Sequence, residues 1–158
     1  MLGATAVGKT SLVRRFVESM FSEKYQATIG VKIDRKLVEM GDTTVSLLLW
    51  DLQGEDEFQS VRMSYLRGAS GLIYVADGTR PETLVTTKSI RALAEETVGD
   101  IPSLLLLNKS DLAGEWALDD AFISAHGPTD VPVVRTSART GDHVEDCFHH
   151  LVRRMLEA

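Results

Sequence analysis

Short apolar runs alternate with amphipathic segments along the chain, and this alternation limits the fold more than any other feature. Four apolar runs predict strands, at residues 45–50, 71–76, 102–107 and 131–135. The first three are nearly continuous, which is typical of strands covered on both faces. Four segments with apolar residues at helical spacing predict helices, at residues 10–20, 83–98, 118–125 and 144–156. This order predicts one α/β domain over residues 1–158, with a mainly parallel sheet and helices on both faces.

One further segment has the pattern of an edge strand. Residues 31–39 (VKIDRKLVE) alternate between apolar and polar side chains and carry several charges. Charges of this kind protect an exposed sheet edge from pairing with other chains. We therefore expect this strand to pair with the strand at 45–50 through a turn at Gly41-Asp42.

A glycine-rich loop precedes the first helix. Gly3–Thr10 (GATAVGKT) matches the pattern G-x-x-x-x-G-K-[ST], in which backbone N–H groups and the helix N-terminus surround a phosphate. Lys9 is predicted to reach the β- and γ-phosphates of a nucleotide, and the Thr10 hydroxyl to ligate Mg²⁺. The predicted nucleotide contacts from this region are Thr5, Ala6, Val7, Gly8, Lys9, Thr10 and Ser11.

Only Met1 and Leu2 precede this loop, although such a loop normally follows a strand at the centre of the sheet. We therefore expect the first, central strand to be missing or truncated in this chain. A gap there would expose backbone groups and apolar neighbours. Either the numbered chain omits upstream residues, or another segment fills the position.

A second polar motif predicts selection of guanine. Asn108-Lys109-Ser110-Asp111 directly follows the apolar strand at 102–107. The Asp111 carboxylate can accept hydrogen bonds from guanine N1–H and the 2-amino group, and it would be left unpaired against adenine. The stem of Lys109 is expected to pack over the base, and Asn108 to tie the loops together. After the last strand, Ser137-Ala138 is placed so that the Ala138 amide can donate to guanine O6.

Charge and composition exclude several other classes. The formal net charge of −6 argues against binding nucleic acid or an anionic membrane surface, since both favour basic proteins. Cys147 is the only cysteine, so no internal disulfide can form. No apolar run of 18 residues, signal peptide or prenylated cysteine is visible. We expect a cytoplasmic protein with no direct membrane anchor in this chain, and peripheral membrane association only through a tail outside it.

The motifs occur in the order found in the Ras-like small GTPases, and the chain resembles the Rab branch most closely. The motifs that carry the resemblance are Gly3–Thr10, Thr28, Asp51–Gly54, Asn108–Asp111 and Ser137-Ala138. The resemblance implies a three-layer P-loop NTPase fold with a six-stranded, mainly parallel sheet. It also implies binding of GTP and GDP with Mg²⁺, and GTP hydrolysis that switches the protein between two shapes.

The resemblance assigns roles residue by residue. Thr28 would ligate Mg²⁺ and sense the γ-phosphate, Asp51 would hold Mg²⁺ through water, and the Gly54 amide would contact the γ-phosphate. Phe21 would stack edge-on against guanine, and Arg139 would contact the nucleotide beside Ala138. The metal ligands are then Thr10, Thr28 and Asp51, and the catalytic residues Lys9, Thr28, Gly54 and Glu55.

Glu55 departs from the family, which usually has a glutamine there to orient the attacking water. A carboxylate only accepts hydrogen bonds, so Glu55 either acts as a base, binds the water, or is repelled into solvent. The leading hypothesis is a GTP-hydrolysing switch with slow intrinsic turnover. Its effector, GTPase-activating and exchange proteins would contact residues 22–32 and 52–67. The alternatives are a guanine-nucleotide-binding scaffold with negligible hydrolysis, and a phosphoryl transferase that uses ATP.

Overall fold

A computed structural model describes residues 1–54 and 63–158 of the chain. Its elements in chain order are α1 (Lys9–Glu18), β1 (Val31–Met40), β2 (Thr43–Leu52), a 3₁₀ helix (Met63–Leu66), β3 (Leu72–Asp77), α2 (Pro81–Val98), β4 (Ser103–Asn108), α3 (Asp120–His126), β5 (Val133–Arg135) and α4 (Val144–Glu157). Each predicted helix and strand is present, with bounds within about two residues of the prediction, as expected where helix ends fray. Among the described residues, no helix is long and apolar enough to cross a membrane.

The strands form two sheets. Strands β3, β4 and β5 pair in parallel, in that order. Strands β1 and β2 form an antiparallel hairpin in which Met40 lies opposite Thr43, which confirms the predicted turn between them. In the described part of the chain β1 pairs only with β2, so it is the edge strand that its charges predicted.

Met1 and Leu2 lie between the two sheets, where the first strand was predicted to be missing. The Leu2 amide donates to the Ile73 carbonyl and the Leu2 carbonyl accepts from the Val75 amide, both at 2.8 Å. On the other side, the Met1 amino group donates to the Trp50 carbonyl at 2.8 Å. Where the family resemblance implies a six-stranded sheet, the described residues form five strands and an isolated bridge between Leu2 and Tyr74. The exposure expected from a gap does not occur, since Leu2 is 1% exposed.

Helices cover both faces of the parallel sheet. Side chains alternate across a strand, so Ile73 and Val75 of β3 pack in one cluster with α1 and α4. Tyr74 and Ala76 pack in a second cluster with α2. The arrangement is the three-layer α/β fold predicted from the sequence.

The topology brings polar strand ends together. Asp77 ends β3 and Asn108 ends β4, and the two residues are direct partners in the parallel ladder. The loop that follows Leu2 leaves the sheet at the same edge, beside β3. In open α/β sheets, ligands bind at the carboxyl ends of the strands, so the candidate site is expected at this edge.

Candidate functional site

A cavity of about 540 Å³ opens at this edge of the sheet. Its volume lies within the range of about 300–1,000 Å³ that is typical of small-molecule sites. The predicted site residues that line it are Thr5, Ala6, Gly8, Lys9, Thr10, Ser11, Phe21, Thr28, Gly54, Asn108, Lys109, Asp111, Ala138 and Arg139. The phosphate loop and the guanine motif therefore face one continuous space.

Three of the predicted residues that the structure describes do not line this cavity, and a fourth, Glu55, is not described. Val7 is fully buried in the hydrophobic core, so only its backbone is available to a ligand there. Ser137 and Asp51 are also fully buried, one behind Asp111 and the other behind Thr10. Glu55 lies outside the described residues, as does the rest of the 55–62 segment within the predicted partner surface at 52–67.

Side chains hold the phosphate loop by its carbonyl oxygens. Every carbonyl from residue 3 to residue 7 accepts a hydrogen bond from a cationic or amide side chain. The donors are the Lys9 ammonium (to residues 3 and 4, 2.9 and 2.8 Å), Arg80 (to residue 5, 2.8 Å), Lys109 (to residue 6, 3.0 Å) and Asn108 (to residue 7, 3.0 Å). A peptide N–H points opposite to the neighbouring carbonyl, so these contacts orient the loop amides as phosphate binding requires.

Asn108 joins the two ends of the cavity. Its Nδ2 donates to the Val7 carbonyl at 3.0 Å, and its Oδ1 accepts from the Ala138 amide at 3.1 Å. Gly8 makes this approach possible: its φ is 103°, and a Cβ atom there would lie 2.2 Å from Asn108 Nδ2. A larger residue at position 8 would therefore separate the phosphate loop from the guanine motif.

At the predicted guanine end of the cavity, a hydrogen bond holds the Asp111 carboxylate in one orientation. The buried Ser137 hydroxyl donates to Asp111 Oδ1 at 2.7 Å, which fixes the direction of the carboxylate beside the cavity. Lys109 has a φ of 71°, in the left-handed region that side chains other than glycine rarely adopt. Such strain is found mainly where function requires it, and here it allows the Lys109 ammonium to reach the Ala6 carbonyl.

Asp77 binds the basic residues around the loop, and the sequence analysis missed it. Its side chain is 1% exposed and accepts from four donors. These donors are the Thr79 amide (2.9 Å) and hydroxyl (2.7 Å), Arg80 Nε (3.0 Å) and Lys109 Nζ (2.6 Å). Burial raises the pKa of Asp77, but the hydrogen bonds from Lys109, Thr79 and Arg80 together outweigh burial and hold the pKa below its usual value. An aspartate at the end of an apolar strand was the signal available in the sequence.

The three predicted metal ligands lie together. The Thr10 hydroxyl donates to Asp51 Oδ2 at 2.5 Å and lies 2.6 Å from the Thr28 hydroxyl. Because Thr10 has one hydroxyl proton, Thr28 is the donor in the second contact. Asp51 Oδ1 is buried and has no hydrogen-bond partner among the described residues, and burial raises the pKa of this carboxyl.

These ligands fit Mg²⁺, which takes one or two carboxylates together with hydroxyls, waters and substrate phosphates. The Asp51 oxygen that has no partner among the described residues would be free to accept from a water bound to such an ion. Within residues 1–54 and 63–158, no group of three or more His, Cys, Asp or Glu residues could hold a metal alone. With one carboxylate and two hydroxyls as its predicted ligands, the site leaves positions for waters and for the phosphates of a nucleotide.

Both predicted switch segments contact the phosphate loop or each other. The Gln53 amide donates to the Gly30 carbonyl at 2.8 Å, and the Gly30 amide donates to Gln53 Oε1 at 3.2 Å. Gly54 packs on the loop backbone, since a Cβ atom there would lie 2.5 Å from the Thr5 Cα. Leu52, at the end of β2 just before these contacts, is buried in the core.

The three-layer fold and this loop define the chain as a P-loop nucleotide-binding protein. Comparison with protein families narrows the class, because the model of the Ras family matches residues 1–157. Ras-related protein Rab-1D of Dictyostelium discoideum is 30% identical over 158 residues, which cover 97% of this chain and 76% of that protein. The chain belongs to the Ras family and is similar to its Rab branch. Proteins of this family are GTP-binding switches and GTPases that use Mg²⁺ and act through regulators and effectors.

Proposed function

We propose that this protein binds GTP and GDP with Mg²⁺ in the 540 Å³ cavity and hydrolyses GTP slowly. The observation that carries the proposal is the bridge through Asn108, which fixes the phosphate loop to the guanine loop at the distance of one amide side chain. A nucleotide that fills this cavity contacts both motifs at once. The net charge of −6 disfavours binding of a polyanion to the protein surface in general. The cavity is the favoured place for such a ligand because Lys9 and Lys109 line it.

The phosphate end stabilises negative charge. Lys9 is buried, and its ammonium is held within the loop by the carbonyls of Gly3 and Ala4, so its charge faces the phosphates at a fixed place. Thr10, Thr28 and Asp51 would hold the Mg²⁺ ion. When bound, that ion would supply positive charge that stabilises the negative charge on the phosphates. These groups act mainly by orientation and electrostatics, since phosphoryl transfer needs little covalent help.

The guanine end selects the base. Asp111 is held by Ser137 and faces the cavity, where it would accept from guanine N1–H and the 2-amino group. Adenine offers neither donor there, so it would leave a desolvated carboxylate unpaired, which costs more than the about 1–3 kcal/mol of an unpaired neutral group because the carboxylate is charged. The same argument disfavours the phosphoryl transferase that uses ATP.

The switch arises because both segments depend on the phosphate loop. Thr28 contacts Thr10, and Gly54 lies on Thr5. Loss of the γ-phosphate would remove a shared anchor, and segments of this kind then relax. Partners would read the change through residues 22–32 and 52–67. Tyr25 and Ile29 support this, because they are 63% and 90% exposed although both are large and apolar.

The experiment is single-turnover hydrolysis of bound GTP by the wild type and by Glu55→Gln and Glu55→Ala. We expect wild-type turnover on the order of 10⁻⁴ s⁻¹, the rate of intrinsic hydrolysis without an arginine finger. Glu55→Ala measures how much of this rate the carboxylate supplies. If the wild type turns over no faster than GTP in buffer, the scaffold alternative, which the Glu55 departure motivates, replaces the GTPase proposal.

A further inference from the structure

Arg80 connects α2 to the phosphate loop. Its Nε donates to Asp77 Oδ2 at 3.0 Å, and its Nη2 donates to the Thr5 carbonyl at 2.8 Å. The backbone of Arg80 is also fixed: its amide donates to the Asp77 carbonyl, and its carbonyl accepts from the Thr83 hydroxyl at 2.7 Å. Pro81, which begins α2, sets the backbone direction next to it.

We propose that Arg80 is a positioning residue that sets the place of Thr5 in the phosphate loop. The inference rests on the proposed nucleotide function and deepens it. Asp77 holds one side of the guanidinium, and the other side fixes a carbonyl of the loop. Arg80 does not line the cavity, so it acts through Thr5 and not by touching the nucleotide.

The consequence concerns the third phosphate. Thr5 lies between Arg80 and Gly54: its carbonyl accepts from Arg80, and its Cα and amide nitrogen would lie 2.5 and 2.8 Å from a Cβ atom at Gly54. Because Gly54 can come no closer, the place of Thr5 determines where the Gly54 amide can sit. If that amide serves the γ-phosphate, a loosened Thr5 weakens triphosphate binding more than diphosphate binding.

A lysine cannot replace this arrangement. Arginine has a planar, rigid set of donors that can bond two acceptors in fixed directions, whereas lysine has one compact ammonium on a flexible stem. At position 80 an ammonium could stay with the Asp77 carboxylate or reach the Thr5 carbonyl, but it would not hold both in one plane. The substitution Arg80→Lys thus keeps the charge and removes the geometry.

The test compares Arg80→Lys and Arg80→Ala with the control Arg91→Lys. Arg91 lies within α2, which begins directly after Arg80, and makes a two-pronged ion pair with Asp130, away from the cavity. Dissociation constants for GDP and for a non-hydrolysable GTP analogue are measured with Mg²⁺. We expect both Arg80 variants to weaken the analogue by about tenfold, as for loss of a hydrogen bond to a charged group, and GDP by less than about threefold. Arg91→Lys should leave the ratio of the two constants at its wild-type value.

An unchanged ratio in Arg80→Lys, whether both constants rise equally or neither rises, would overturn the positioning role. A cooperative transition in urea unfolding identifies the variants that are folded. If Arg80→Ala does not fold, the comparison of Arg80→Lys with the wild type is enough for the test. If the wild type binds neither nucleotide, the proposed function itself fails. That outcome is distinct from normal wild-type binding with an unchanged ratio.

Discussion

The substitution Asp77→Asn tests the network that surrounds the phosphate loop. The carboxylate is almost fully buried and accepts from four donors, two of which belong to the cations of Arg80 and Lys109. Asparagine has the same shape but only one acceptor oxygen. In either orientation of the asparagine side chain, the NH₂ group replaces an acceptor oxygen and faces two of the four donors. Those two donors are then left without an acceptor.

The magnitude follows from burial. Breaking a buried ion pair costs about 3–5 kcal/mol, but the side chains of Arg80 and Lys109 are 38% and 31% exposed and can regain some hydration. We therefore expect the free energy of unfolding to fall by about 2–4 kcal/mol. The assay is urea unfolding of the nucleotide-free protein at pH 7. The control is Asp130→Asn, which breaks an ion pair to an exposed carboxylate and should cost at most about 1 kcal/mol.

The stabilisation that Asp77 provides depends on pH, and the direction of its pKa shift gives the sign of that dependence. Because the folded pKa of Asp77 lies below its usual value of 3.8, its carboxylate stabilises the fold fully above that value. The contribution is lost as pH falls through the folded pKa, whereas asparagine does not titrate. The difference between wild type and Asp77→Asn should stay constant down to about pH 4 and shrink below it. A difference under about 0.5 kcal/mol at pH 7, or one that grows in acid, would refute the reasoning.

Three further substitutions test separate contacts. Gly78→Ala places a Cβ atom 1.9 Å from the ring of Trp116, so urea unfolding should show a loss of about 1–3 kcal/mol, and an unchanged midpoint would contradict the packing. Gly54→Ala forces the chain off the backbone of Thr5, so affinity for a GTP analogue should fall while GDP affinity stays within about threefold; equal losses would argue against the γ-phosphate role. Thr10→Ala removes a proposed Mg²⁺ ligand, so chelation of Mg²⁺, which we expect to accelerate GDP release from the wild type, should have no such effect on the variant; retained acceleration would exclude the ligand.

The layered fold could be predicted from the sequence because the patterns that indicate its helices and strands are local. Strand β4 is a run of four leucines between helical segments, and the pattern of burial follows from that run alone. The hairpin of β1 and β2 needed only the alternation in β1 and the turn at Gly41. Periodicity of two or 3.6 residues requires no knowledge of distant contacts.

Contacts between segments that are distant in sequence could not be predicted from the sequence. Arg80 meets Thr5 across 75 residues of sequence, and nothing near either residue indicates the pairing. The place of Met1 and Leu2 likewise depends on hydrogen bonds from β2 and β3 that only the assembled sheets provide. Motifs predicted which loops carry polar groups, but not which cations orient those loops.

The most direct measurement is a titration of the nucleotide-stripped protein with GDP and, separately, with ADP, both with Mg²⁺. The two nucleotides share their phosphates, so their affinities differ only through the guanine end at Asp111. We expect GDP to bind at least about a thousandfold more tightly, because a site built to pair base donors rejects an analogue that lacks them. ADP affinity within about tenfold of GDP, or no binding of either nucleotide, would contradict the claim that one guanine nucleotide spans this cavity.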